Sequence, residues 1–566
     1  MLRAVRNVAA LIICCLSMLV FLSAASSRDE SEAAASGTVP PTDAGHGRPP
    51  AVGDQRPAEP DSRAGSAPAL PAGSEPAWSI VMERGKPLKP IAVAAAGHDL
   101  YFLGKTAVWK VAGGADLLNS PTTLVGSRQV PKAGRVNGVP VQEFSNFVVS
   151  PERNSLVVLD KTGDIFEMSI ADGSWKALRP NYPLSGQPDP EFVDIAAAAA
   201  GKIYALDPER NQIWKFPAAR GSDRLFAEVL PWRLKAGDAN VTDALAIAFD
   251  SGAYVLKQKG VITRYGDRPA ARAARSLPFS WRRPKDARPS RIVTAAGLPL
   301  CVVERENNRV LVIDKKTGSY KQFIFSSNSD LRGLLPRADR FFVIDGDRLV
   351  CRLLSQADPP SAKPNKRAID PRLDGLILPV EGARLPRHPG VWPGARRLYR
   401  YGVHKGVDFF YDPACRVKIV MGTAARAADG GKVIRADVNF RDMDAVKFSR
   451  VMRQCRVEHE TSDKNEDLFR GCQVWIDHGN GLVTRYAHLN NVRLGLVEGS
   501  YVSRGDIIGG IGVSGTGQNL PGQVKHPHLH FEIWLDGKYL GWGLTPAETI
   551  GLFEDIFGTA CERGSS

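Results

Sequence analysis

No His-Glu-x-x-His and no Cys-x-x-Cys occurs anywhere in the 566 residues. The first absence excludes the helical zinc-protease arrangement, and the second excludes the common paired-thiolate metal sites. No zinc finger, aromatic–basic stacking motif or recognition helix accompanies the net charge of +14. The basic balance therefore does not indicate nucleic acid. It fits attraction to a polyanionic surface, or simply solubility. Histidine is scarce, at ten residues, yet seven of the ten lie beyond position 400. That crowding makes the C-terminal third the place to look for chemistry.

Long apolar runs are also lacking, with one exception. Arg3 and Arg6 precede Val8–Leu22, which is followed by small residues Ser23–Ser26 and the acids Asp29, Glu30 and Glu32. A basic start, an apolar stretch and a small-residue site make residues 1–25 an export leader. The run is short of the ~20 residues of a membrane span, so an uncleaved anchor is the alternative, and the only membrane contact expected. Bulky Ile13 before Cys14 disfavours lipid attachment there. Residues 26–77 are rich in Ala, Pro, Gly and Ser, with almost no large apolar side chains. Such a segment cannot bury enough surface to offset its ordering entropy, and reads as a tether.

Between 78 and 354 the chain repeats itself. Strand-like segments recur as Asp99-Leu-Tyr-Phe-Leu, Leu156-Val-Val-Leu-Asp, Ile203-Tyr-Ala-Leu-Asp, Ala253-Tyr-Val-Leu-Lys, Leu300-Cys-Val-Val-Glu and Phe341-Phe-Val-Ile-Asp. Taking Tyr101, Val157, Tyr204, Tyr254, Cys301 and Phe342 as equivalent, the spacings are 56, 47, 50, 47 and 41 residues. A second strand follows each after a polar turn, as in Asn211-Gln-Ile-Trp-Lys-Phe. This period, with several strands per unit, is the mark of a β-propeller. About six blades are expected, with room for a divergent seventh in 112–140; a pair of β-sandwiches is the alternative. No acid–base pair or metal cluster stands out, so this domain is expected to be a scaffold or a surface for a protein partner. Residues 355–373, with Pro359, Pro360 and Pro364, read as a semi-rigid linker.

Five residues then carry the chemistry. His404 and Asp408 lie in Tyr401-Gly-Val-His-Lys-Gly-Val-Asp-Phe-Phe, His488 in Arg485-Tyr-Ala-His-Leu, and His528 and His530 in His526-Pro-His-Leu-His-Phe-Glu. Alternate residues of a strand share a face, so His528 and His530 point one way while Leu529 and Phe531 point into the core. Histidine and carboxylate are ligands of a catalytic zinc, which keeps one position for water. Between the motifs, the polar, helix-prone stretch 437–470 interrupts the strand pattern.

His-x-Gly-x-Asp, then Tyr-x-His-Leu, then His-Leu-His-Phe-Glu, in this order, resemble the signature of the lysostaphin/LytM-type zinc metallopeptidases. The resemblance covers roughly residues 375–550. It implies an all-β protein in which an antiparallel peptidase domain over 374–552, with the 437–470 insertion, follows the propeller and precedes a tail at 553–566. It also implies that Zn2+ is held by His404, Asp408 and His530, with His488 and His528 as catalytic histidines that do not ligate the metal. The substrate implied is peptidoglycan, and with the leader this indicates a periplasmic or envelope enzyme acting on cross-links. Two other readings are a non-catalytic activator of other wall hydrolases and a propeller-based sensor. The propeller or the insertion is expected to cover the cleft at rest, so that a fragment from Asp374 would cleave faster.

Three further histidines read otherwise: His478 as a hairpin residue, His526 as a solvated loop residue and His459 as exposed. Six cysteines lie beyond the leader, an even number that permits three disulfides. Cys455 and Cys472 flank the end of the insertion and are the preferred bridge. Cys301 and Cys351 sit in apolar strands where a free thiol is equally ordinary.

Overall fold

The computed structural model describes residues 77–558, apart from 83–85, 119–122, 131–133, 179–189, 191, 199–200, 217–229, 233–239, 267–275, 278–282, 387 and 413–417. The leader, nearly all of the tether, Cys415 and Cys561 lie outside the described residues.

Six four-stranded antiparallel blades are present among the described residues. The innermost strands are Ala92–Ala96, Phe144–Ser150, Asp194–Ala198, Ala244–Phe249, Arg291–Val293 and Leu331–Pro336. The region that left room for a seventh blade holds the outer strand of the first, Thr123–Gln129, and a small hairpin, Arg135–Val136 with Val139–Pro140. The repeated second strands lack polar alternation for a physical reason: each is covered on both faces. Leu156 and Val158 pack with Tyr101 and Leu103 toward the first blade, while Val157 and Leu159 pack with Ile203 and Ala205 toward the third. The recurrent Leu-Asp ending has a cause as well. Asp160 accepts N–H groups from Gln142, Glu143 and Thr162 at 2.7–3.0 Å, satisfying turn donors that burial removes from water.

The ring closes with the most N-terminal of the described strands. Ala77–Met82 pairs antiparallel with Arg348–Leu353 as the outer strand of the sixth blade, in the register Ala77↔Val350. The same strand runs parallel to Thr123–Gln129 of the first blade. Trp78 is fully buried at this seam and donates its indole N–H to the Leu117 carbonyl.

The 355–373 segment does not stand off as a spacer. Asp358 bridges to Gln322, its carboxylate accepts the Ile324 N–H at 2.7 Å, and Arg367 N donates to the Glu306 carbonyl at 2.8 Å. The chain is thus stitched along the propeller before it enters the peptidase domain. That domain is built on an antiparallel sheet in the order Val407–Phe410, His528–Leu535, Leu482–Ala487, Val474–Gly479, Gly431–Ala436 and Tyr501–Val502. Val407, Phe409, Leu529, Phe531, Val474, Ile476 and Tyr486 form its core face. The helix Pro546–Phe557 packs Phe553 onto the same core.

Peptidase residues 539–555 also dock on the propeller. Buried Glu143 accepts from the Tyr539 hydroxyl at 2.7 Å and from Gly543 N at 2.6 Å, and pairs with Lys161 at 2.7 Å. Arg332 donates to the Gly543 carbonyl, Thr545 to the Ser290 carbonyl, and Arg288 pairs with Asp555. Gly543 has φ +72°, and a Cβ there would lie 2.4 Å from Lys105 Cε. Only glycine fits that contact without displacement.

Residues 437–470 form two helices, Ala445–Glu458 capped by Asp444 and Asp463–Arg470 capped by Ser462. The expected Cys455–Cys472 bridge is absent. Cys455 faces Met443, Val451 and Phe469 inside the insertion, whereas Cys472 packs into the main core beside the Asp437 carbonyl. The two thiols belong to different cores. Cys301 and Cys351 are buried and free as well.

Candidate metal centre

Sheet register assembles the site. Asp408 lies opposite His530, which on its other side lies opposite Ala487. The next residue, His488, leaves the strand with φ +61°, an uncommon conformation that turns the chain at the edge of the site. His404 enters on the loop before Val407, and Gly406 lets that loop approach the neighbouring strand. A Cβ at Gly406 would lie 2.5 Å from the Phe531 carbonyl oxygen. The glycine of the His-x-Gly-x-Asp motif thus has a steric cause.

Three donor atoms converge. His404 Nε2 lies 2.9 Å from Asp408 Oδ1 and 2.8 Å from His530 Nδ1, and the last two are 2.8 Å apart. The opposite ring atoms fix the tautomers. His404 Nδ1–H donates to the Trp392 carbonyl at 3.2 Å, and His530 Nε2–H donates to Glu532 Oε1 at 2.9 Å. Both facing nitrogens therefore present lone pairs, and a carboxylate oxygen completes the triangle. Three lone pairs in van der Waals contact repel unless a cation lies between them. Ligand bonds of 2.0–2.1 Å in tetrahedral geometry separate donors by ~3.3 Å, a few tenths wider than this triangle. The residues fit a small divalent ion with one open position.

Burial and the facing carboxylates together set the charges of these groups: burial would lower His530, but its hydrogen bonds to Asp408 and Glu532 raise it above the usual imidazole value. Burial pushes His404 down to about 3, helped by the Arg397 guanidinium, and so keeps the ring neutral as a ligand must be. Burial alone would raise the Asp408 carboxyl, but the His404 and His530 contacts hold it well below the usual range. Arg397 also donates to Asp408 Oδ2 at 3.2 Å.

The two other histidines stand beside the triangle. The His488 ring is 4.7 Å from that of His528 and 5.5 Å from that of His530, centroid to centroid. His488 Nδ1–H donates to the Ser514 carbonyl and His528 Nδ1–H to the His526 carbonyl, which leaves each Nε2 as a free acceptor. His528 also stacks on Phe410 at 4.3 Å. Burial lowers both, His488 strongly, so each is a neutral base.

His478 sits apart, bonded to the Gly430 carbonyl and the Thr484 hydroxyl. His526 contributes only backbone. His459 is half-buried, not exposed, and caps its helix against the Tyr401 ring.

Sequence reasoning quoted Glu532 but gave it no role. It is fully buried and receives His530 at one oxygen, together with Arg470 Nε at 2.7 Å. Burial would raise its carboxyl, but Arg470 and His530 hold it well below the usual range. Its signal was the strand period: Glu532 is two residues beyond a ligand on the same face. Replacing it, Glu532→Gln, should keep the fold and weaken metal affinity about 10–100-fold, the usual cost of losing a ligand's outer partner. Competitive chelator titration reads this directly, and unchanged affinity would refute the orienting role.

An antiparallel sheet thus carries a His/Asp/His group that could hold a metal ion, with two neutral histidines beside it. The C-terminal domain is a peptidase family M23 domain, whose family model matches residues 402–541. Over 91 residues the chain is 31% identical to the L-Ala--D-Glu endopeptidase of Bacillus subtilis (strain 168), covering 16% of this chain and 28% of that one. Over 70 residues it is 40% identical to the peptidoglycan DD-endopeptidase ShyA of Vibrio cholerae serotype O1, covering 12% and 14%. The chain thus spans less than a third of the length of either curated relative. Among solved structures, the catalytic domain of lysostaphin from Staphylococcus simulans aligns at 23% identity and TM-score 0.15, over 24% of this chain and 68% of that one. YCF48 from Cyanidioschyzon merolae aligns at 13% identity and TM-score 0.31, over 46% and 81%.

Proposed function

We propose that this protein is an exported zinc endopeptidase that hydrolyses peptide cross-links of peptidoglycan in the cell envelope. The observation that carries the reading is the convergence of ligand atoms from His404, Asp408 and His530, beside the imidazoles of His488 and His528. Zinc suits a set of two imidazoles and one carboxylate with an open fourth position; when bound, it supplies Lewis acidity toward a peptide carbonyl and lowers the pKa of water. The peptidoglycan endopeptidases among the relatives support the substrate class, and the leader supports export.

The chain's own residues then have distinct tasks. Glu532 and the Trp392 carbonyl fix the ligand rings. His488 and His528, neutral through burial, are placed to take a proton at Nε2 and return it to the leaving amine, or to donate to the developing oxyanion once protonated. The Ser514 and His526 carbonyls hold their tautomers. His488→Ala and His528→Ala should each retain zinc while turnover falls roughly 10²–10⁴-fold. Wild-type cleavage rates in either variant would remove that histidine from the chemistry.

Digestion of purified muropeptides, with products identified by mass, tests the function itself. Products separated at the cross-link support it. Cleavage inside a single stem peptide would move the bond assignment, and intact muropeptides with zinc fully bound would favour a non-catalytic role.

A further inference from the structure

The insertion helix Ala445–Glu458 buries Val451 and Cys455 and turns most of its circumference to solvent. Lys447, Arg450, Arg453 and Arg456 recur on it every third residue, with Arg441 just before it, and all five are exposed. Residues at i, i+3, i+6 and i+9 wind across the half of a helix opposite its buried stripe. Among the described residues none of the five is in an ion pair. The neighbouring acids are committed elsewhere. Asp442 accepts from Gly515 N and the Asn519 side chain, Asp444 caps the helix at Lys447 N, and Glu458 accepts from Gln454.

The position of this cationic face matters as much as its charge. Asp442 grips the loop next to Ser514, whose carbonyl orients His488. At the other end of the insertion, Arg470 binds Glu532, and its carbonyl accepts the His488 N–H at 2.9 Å. Both ends of the insertion are pinned to the shell of the metal centre, so the helix stands at the flank of the site. Solubility alone gives no reason for unpaired cations in this particular place. A membrane surface fits poorly: exposed Val446 and Val457 are eleven residues, or ~16 Å, apart on the helix and form no continuous apolar stripe.

We propose that this helix is a docking rail for the free carboxylates of the peptidoglycan strand whose peptide enters the metal site. The proposal rests on the function given above and adds where the polymer lies. A peptidoglycan strand carries stem-peptide carboxylates at intervals, so several weak contacts act together, and their strength falls with ionic strength.

The test uses the full chain and the variant K447Q/R450Q/R453Q/R456Q, with R450K/R453K/R456K as the charge-preserving control. Co-sedimentation with purified peptidoglycan at low salt should be weakened roughly tenfold in the first and kept in the second. The salt dependence of binding should largely vanish in the first variant. KM for intact sacculi should rise in parallel, while kcat on a soluble cross-linked muropeptide stays within about twofold, because these exposed side chains flank the site without bonding to His404, Asp408, His488, His528 or His530. Equal binding by wild type and the glutamine variant, with equal melting temperatures, overturns the rail. So does helix-dependent binding to anionic phospholipid vesicles in place of peptidoglycan. If wild type binds peptidoglycan through the helix yet cuts nothing, the rail stands and the peptidase reading fails.

Discussion

His530→Ala is expected to empty the metal centre and abolish hydrolysis. The substitution removes one of the three side chains proposed to hold the metal and leaves His404 and Asp408 facing an open position. Structural zinc sites bind with ~10–16 kcal/mol shared among their ligands, so losing one should weaken affinity by at least 10²–10³-fold. The fold should survive. Glu532 keeps its bonds from Arg470 and from the Trp534 indole, and the flanking Leu529 and Phe531 remain on the core face. Elemental analysis after dialysis, alongside a thermal melt, separates the two effects. Full zinc occupancy in a folded His530→Ala protein would exclude His530 as a ligand.

The second large effect concerns a fragment beginning near Asp374. Contacts between the domains include the peptidase segment 539–555, the end of the insertion, where Arg135 of the propeller pairs with Glu460 at 2.8 Å, and the loop that carries His404. Arg396 on that loop donates to the Asp160 carbonyl at the blade turn, and Gln142 donates to the Tyr401 carbonyl. The propeller therefore backs the metal loop, and we propose that it acts as a support for the site. On this view the fragment should bind zinc roughly tenfold or more weakly, as expected when the outer partners of a ligand loop are lost. Its melting temperature should also fall below that of the full chain. Faster peptidoglycan cleavage by a fully zinc-loaded fragment would instead establish the propeller as a cover over the cleft.

The repeats were legible because blade strands, covered on both faces, have nearly continuous apolar sequences broken by Asp-containing turns. Period alone located the blades. Closure by Ala77–Met82 was not legible, since Trp78-Ser-Ile-Val-Met resembles the start of any strand and its partner lies at the far end of the domain. The same limit applied to Glu532. His404, Asp408, His488, His528 and His530 stand out by residue type, whereas the strand period only puts Glu532 on their face and the fold is needed to set Arg470 against it. The Cys455–Cys472 expectation failed because sequence proximity says nothing about which core each thiol enters. The docking of Gly543 on Glu143 joins parts of the chain about 400 residues apart, and no local pattern encodes it.

The seam of the ring imposes an order of events. The first of the described strands, Ala77–Met82, cannot find its antiparallel partner until Val350 has been made. Pairing across so much intervening chain is slow, because loop-closure entropy must be met before the contacts form. The peptidase domain docks on loops of this ring, so its own supports are also completed late. In a chain of this design the propeller loops that support the metal centre come together only after the closing strand pair at Val350 has been made.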